Sequence, residues 1–235
     1  MKEIPILYSA PMVVAILDGR KSQTRRAIKS PARNMQKQGH QVIRRNPDND
    51  PWYKDHIWSM RVDGGSWADY THERFLQLCH YGAVGDRLWV REAWRVTSKL
   101  DDISPNQLPE GIGVEYPATR HINNLEGRKR PSIHMPRSLS RILTEVTDIR
   151  VQRLQDITPE EAKAEGLKCM SKDGLTVKFG IPDLDGYPGT DNHGWPWQEW
   201  EFDPVMAYKR LWEKINGKGS WDKNPWVWVI EFRKI

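Results

Sequence analysis

The chain has 235 residues, and its 36 Lys+Arg against 31 Asp+Glu give a formal net charge of +5, mildly basic and not the mark of a nucleic-acid-binding tail. Hydrophobic residues make up 38% and the mean hydropathy is −0.74, yet 12 Trp make it too aromatic for a disordered chain. No apolar run approaches the ~20 residues that span a bilayer. Cys79 and Cys169 stand alone and form no CxxC pair, so neither a disulfide framework nor a cysteine-rich zinc site is expected, and a reducing, cytoplasmic setting is.

The N-terminal stretch has an apolar middle, but Glu3 sits where a signal peptide wants positive charge and Asp18-Gly19 closes it without a cleavage site, so it reads as mature structure. Met12, Val13, Ile16 and Leu17 recur at helical spacing. They predict a helix over Ser9 to Arg20, with Ser9 as N-cap, Pro11 in the first turn and Gly19 as the stop. Residues 30–83 carry few aliphatics and read as an irregular insertion. Gly85-Asp86 turns into a strand over Arg87 to Glu92, with Leu88 and Val90 on one face. Residues 98–136 form a second polar insertion.

Ser138 to Leu154 is rich in Ile, Val and Thr and predicts one long strand, or two with a bend near Asp148. Thr158-Pro159-Glu160-Glu161 opens a short helix with a capping box, and Gly166 ends it. Residues 169–203 are a third insertion, dense in Gly, Pro, Asp and Trp. Asp203-Pro204 then starts a helix to Ile215, with Val205, Tyr208, Leu211, Trp212 and Ile215 along one stripe. Trp226 to Phe232 predicts a strand buried on both faces. Without the insertions, segments 1–29, 84–97, 137–168 and 204–235 make one α+β core of ordinary domain size.

The order of these pieces resembles the ASCH family of the PUA-like superfamily. Three pieces carry the resemblance: Gly19-Arg20-Lys21-Ser22-Gln23-Thr24-Arg25-Arg26, which fits a G-x-K-x-x-T-x-R signature directly after the first helix; Gly85-Asp86 before a strand; and the terminal strand with its Ile230-Glu231-Phe232 ending. With GDRLWVREAW, SIHMPRSLSRI and the Trp-rich end, the whole chain is similar to a larger subgroup found in phages and prophages. The resemblance implies a small β-barrel with helices at its mouth, here carrying three long irregular insertions. It also implies an amidohydrolase that releases cytidine from N4-acetylcytidine, using Lys21, Thr24 and a Glu from the helix after the long strand. Alignment on that helix favours Glu165, with Glu161 and Glu160 as alternatives.

The residues suit such chemistry. Amide hydrolysis needs a nucleophile, a base and an acid for the leaving amine. Thr24 offers a hydroxyl. Lys21 can act as base if neutral, and the charges of Arg20, Arg25 and Arg26 push it in that direction. An i, i+3 spacing sets Lys21 beside Thr24 if the segment is a helical turn, and Glu165 then protonates the departing nitrogen. No metal or cofactor is required. The bland alternative is a solvated basic helix end. A third reading has the cluster hold phosphate, with RNA as the partner instead of a small nucleoside.

Arg20 and Arg26, with Arg91 and Glu92 beside Trp94, are candidate substrate-binding residues, the last two being equally a surface ion pair. His134 and Arg137 are weaker candidates, and Cys79, His80 and His72 lack the second matched pair a metal site needs. Trp195, Trp197 and Trp200 either stack on a base or anchor their loop to the core.

Overall fold

The computed structural model describes residues 1–29, 42–45, 54–62, 65–119, 125–189 and 194–235. It is α+β, with mixed sheets and few helices. The main sheet has five strands in the order β1 (Glu3–Leu7), β6 (Arg87–Arg91), β7 (Leu143–Arg153), β10 (Trp226–Lys234), β2 (Gln23–Ala27). β1 runs parallel to β6, and every other pairing is antiparallel.

β10 lies between β7 and β2, and Val227, Trp228, Val229 and Ile230 are buried in succession, as expected of a strand covered on both faces. β7 is the single long strand, and its bend falls where the sequence suggested. The register with β10 shifts between Glu231 and Phe232, which pair with Asp148 and Val146, leaving Thr147 as an extra residue. A bulge of this kind increases twist and curls a sheet. Its outer strands, β1 and β2, share no backbone hydrogen bond among the described residues. They are linked instead by a side chain: Arg26 Nη2 donates to the Leu7 carbonyl at 2.8 Å.

The helices follow from their caps. α1 (Ala10–Leu17) is shorter than expected, because Asp18 is its C-cap and Gly19 takes φ +74°. α3 (Pro159–Ala164) has the complete capping box, Thr158 Oγ1 accepting from Glu161 N and Glu161 Oε2 accepting from Thr158 N. α4 (Pro204–Asn216) buries Tyr208, Leu211 and Trp212, but Ile215 is 56% exposed, since the last turn runs past the core.

The insertions are less irregular than expected. Within 30–83, β3 (Val42–Arg44), β4 (Trp58–Arg61) and β5 (Trp67–Tyr70) form a separate antiparallel sheet, followed by α2 (His72–Leu76). The largest buried side chains here are aromatic, Trp58 and Phe75, beside Val42 and Met60, and an aliphatic pattern overlooks them. Trp58 stacks on Phe75 at 4.8 Å and meets Trp226 edge-on at 4.9 Å, inside the main core. Within 169–203, β8 (Lys168–Ser171) and β9 (Val177–Gly180) make a hairpin. Trp195 and Trp200 are buried in the core, which supports the anchoring role, and Trp197 rests on Trp200. The segment 98–136 packs on a small satellite cluster of Trp94, Val96 and Met135. Trp52 lies outside the described residues. No helix among them is long and apolar enough to cross a membrane.

If segment 30–83 belongs to the core, Trp58→Ala should destabilise the protein by about 3–5 kcal/mol, as for a buried core aromatic. Urea unfolding monitored by circular dichroism measures it; a loss below about 1 kcal/mol would mean that the segment is only draped on the surface.

Candidate active site

The chain leaving α1 is stitched to the end of α3 by backbone. Lys21 N donates to Ala15 O, Ser22 N donates to Ala164 O, and Lys21 forms an isolated bridge with Glu165. Gly166, at φ +105°, makes the fit possible, because a Cβ there would lie 2.9 Å from Ala15 Cβ and 3.2 Å from Lys21 Cβ. The expected helical turn at Lys21 to Thr24 is therefore absent. Backbone pairing to α3 on one side and to β10 on the other holds the segment extended, with Thr24 opposite Ile230.

Lys21, Thr24 and Glu165 nevertheless line one cavity of about 460 Å³, each under 5% exposed. Lys21 Nζ makes three hydrogen bonds, each 2.8 Å long, to Gln23 O, Glu165 O and Glu165 Oε2. Arg25 Nη1 approaches Glu165 Oε1 at 3.5 Å, and Arg25 Nη2 meets Glu161 Oε2 at 2.9 Å. Glu165 is thus the carboxylate of the cavity. Glu161 caps α3 and bridges Arg25 to Arg150, while Glu160 is exposed.

Burial lowers the Lys21 pKa from its ordinary value, the Glu165 carboxylate resists the change, and Arg26 and Arg25 add to the lowering. The direction matches expectation, but the main cause is desolvation and not neighbouring charge. Among the described residues no hydrogen bond joins Lys21 Nζ to Thr24 Oγ1; both face the same space. Thr24 instead neighbours the Tyr8 phenol, whose hydroxyl is buried without a hydrogen bond of ordinary geometry. Burial raises the Tyr8 pKa strongly, so the group stays a proton donor. Tyr208 is raised well above its ordinary value by burial and by the Glu165 carboxylate.

The other candidates divide. Arg26 lines the cavity, its guanidinium 5.4 Å from the Tyr8 ring. Arg20 does not; it donates to Gly166 O at 2.6 Å and pairs with Asp18, bracing the loop. Arg91 donates to the carbonyls of Met135 and Ile133 and lines a separate cavity of about 370 Å³ with Trp89 and His134. Glu92 is 1% exposed and held by both ends of Arg141 at 2.8 and 3.0 Å, so it is a buried ion pair and not part of the main cavity. Arg137 pairs with Glu3.

Sequence reasoning missed Tyr8, which lies just before α1 with no pattern of its own. It read Tyr208 and Trp212 only as core, although both also line the cavity. Compared with known proteins, the chain matches no family model, no curated protein and no solved structure.

The charge arrangement sets an asymmetry. Glu165→Gln leaves the buried Lys21 and Arg25 facing a neutral amide and should cost about 3–5 kcal/mol. Lys21→Met leaves Glu165 still facing Arg25 and should cost less. Chemical denaturation of both variants checks the order, and equal losses would mean that Arg25 gives Glu165 no support.

Proposed function

We propose that the protein is an ASCH-type, PUA-like amidohydrolase that cleaves the N4-acyl amide of N4-acetylcytidine or a related nucleoside. The observation that carries this reading is the meeting of Lys21, Thr24 and Glu165 in one buried cavity, with a direct 2.8 Å bond between the lysine and the carboxylate. The bulged, curling sheet, whose outer strands approach at Arg26 and Leu7, supports an open version of the small barrel.

The buried ion pair gives the chemistry a simple start. Moving one proton along the Lys21–Glu165 hydrogen bond yields a neutral amine and a carboxylic acid, which are the base and the acid that amide cleavage needs. Thr24 Oγ1 attacks the acyl carbon as Lys21 takes its proton. The carbon–nitrogen bond breaks as Glu165 protonates N4, releasing cytidine. Water then attacks the acyl ester and gives its proton to the Glu165 carboxylate. Thr24 leaves with the proton held by Lys21, and the carboxylic acid is released. The cycle consumes one water and uses no cofactor. The Tyr8 hydroxyl, which neighbours Thr24, is placed to donate to the oxyanion that develops there.

Incubation with N4-acetylcytidine should release cytidine, and Lys21→Ala or Thr24→Ala should lower kcat/KM roughly 100-fold or more. Tyr8→Phe should lower kcat roughly 100-fold with little change in KM. Absence of product, or undiminished activity in the Lys21 and Thr24 variants, removes the proposal. Because the pair must carry one proton, activity should fall as pH rises through the lowered Lys21 pKa, at a midpoint below the ordinary lysine value of 10.5. A rate still level at that pH would argue against Lys21 as base. The alternative, an RNA-binding module without amide chemistry, draws on the cationic mouth of the same cavity.

A further inference from the structure

Among the described residues, four cationic side chains line the cavity, Lys21, Arg25, Arg26 and Lys29, against the single carboxylate of Glu165. Glu165 is matched by Lys21, and Arg25 is matched by Glu161 from outside the lining. Arg26 and Lys29 remain, and among the described residues neither meets a carboxylate. They stand at the mouth, Arg26 half-buried and Lys29 exposed, beside Tyr81 and Ser132. Their joint field reaches His80: after burial, Lys29 and Arg26 are the causes that lower its pKa.

A second observation concerns hydrogen bonding. Trp212 Nε1, Arg25 Nε and Arg26 Nε are buried without a partner, Tyr8 Oη has none beyond its neighbour Thr24, and all four belong to residues that line this cavity. Tyr8 and Trp212 are more than nine-tenths buried. Three of the four groups can only donate, and the fourth is a phenol kept protonated. Buried donors without acceptors are costly unless a ligand supplies the acceptors. A neutral nucleoside has acceptors for the interior but nothing that answers the paired cations at the mouth.

We infer that the ligand of this cavity carries a phosphate group, held at the mouth by Arg26 and Lys29 while its uncharged part enters between Tyr8 and Trp212. The nucleoside half of this statement rests on the amidohydrolase reading, which makes the ligand a cytosine nucleotide; the phosphate half rests on the charges alone. Arg26 is prepared for the role. Its Nη2 is fixed on Leu7 O and its plane lies near the Tyr8 ring, so its remaining N–H groups are oriented before an anion arrives.

Calorimetric titration of the full chain with cytidine, cytidine 5′-monophosphate, ribose and ribose 5-phosphate tests the inference. Each phosphate ester should bind about 10- to 100-fold tighter than its parent at low salt. Lys29→Gln and Arg26→Gln should each erase most of that advantage, Lys29→Arg should keep it, and about 0.5 M salt should reduce it. Lys29 is exposed, so its variants test the charge without threatening the fold. Esters that bind no better than their parents, or a preference that survives both neutral variants, overturn the inference. A cytidine-centred trinucleotide separates the two sources of phosphate. Tighter binding than the monophosphate identifies a nucleic-acid phosphodiester, weaker binding a free nucleotide, and either result upholds the phosphate site. The two proposals also fail separately. Lys29-dependent binding of ribose 5-phosphate without hydrolysis of N4-acetylcytidine removes only the amidohydrolase, and hydrolysis without phosphate preference removes only this inference.

Discussion

An ammonium group buried with all three of its hydrogens spent inside the protein governs the arrangement around it. Lys21 gives them to the carbonyls of Gln23 and Glu165 and to the Glu165 carboxylate. A charge so far from water has to be matched, and the match joins the segment after α1 to the end of α3, two pieces 144 positions apart in sequence. Gly166 has no side chain because Lys21 and Ala15 occupy the space. Arg25, on β2, faces the other oxygen of Glu165 and the carboxylate of Glu161, so the strand, the loop and the helix share one electrostatic knot.

A second constraint comes from the sheet. β1 and β2 are its two outer strands, and instead of pairing they leave a cavity across which Arg26 reaches to Leu7. An unpaired strand edge is ordinarily a liability, and here Met12 of α1, Glu165 just past α3, and Tyr208, Leu211 and Trp212 of α4 line the gap. The resulting cavity has a donor-rich interior and a cationic mouth. The buried Lys21–Glu165 ion pair and the charges of Arg26 and Lys29, unmatched among the described residues, thus stand at different depths of one space.

The polar, tryptophan-rich insertions are integrated largely by aromatic contacts, with a few aliphatic residues such as Val42 and Ile181 beside them. Trp58 among Phe75 and Trp226, and Trp200 hydrogen-bonded to the Trp195 carbonyl, bury large surfaces with few residues. That is how a chain of low mean hydropathy sustains a continuous core. It is also why aliphatic periodicity does not register these segments: β3 and β4 carry little alternation of their own.

Local patterns in the sequence determined the caps of α3, the double-sided burial of β10, the bend of β7 near Asp148 and the clustering of Lys21, Thr24 and Arg26 on one short segment. Each depends on neighbours along the chain, where periodicity and capping chemistry act. Tertiary structure decided that the favoured Glu165 faces the cavity while Glu161, one turn earlier on the same face, is held by the helix cap, Arg25 and Arg150, and Glu160 is exposed. It also decided that Lys21 sits in an extended segment, that burial more than neighbouring arginines lowers its pKa, and that Arg20, Arg91 and Glu92 serve other contacts. Those outcomes depend on which distant groups a side chain meets once water is excluded, and no spacing along a chain records that.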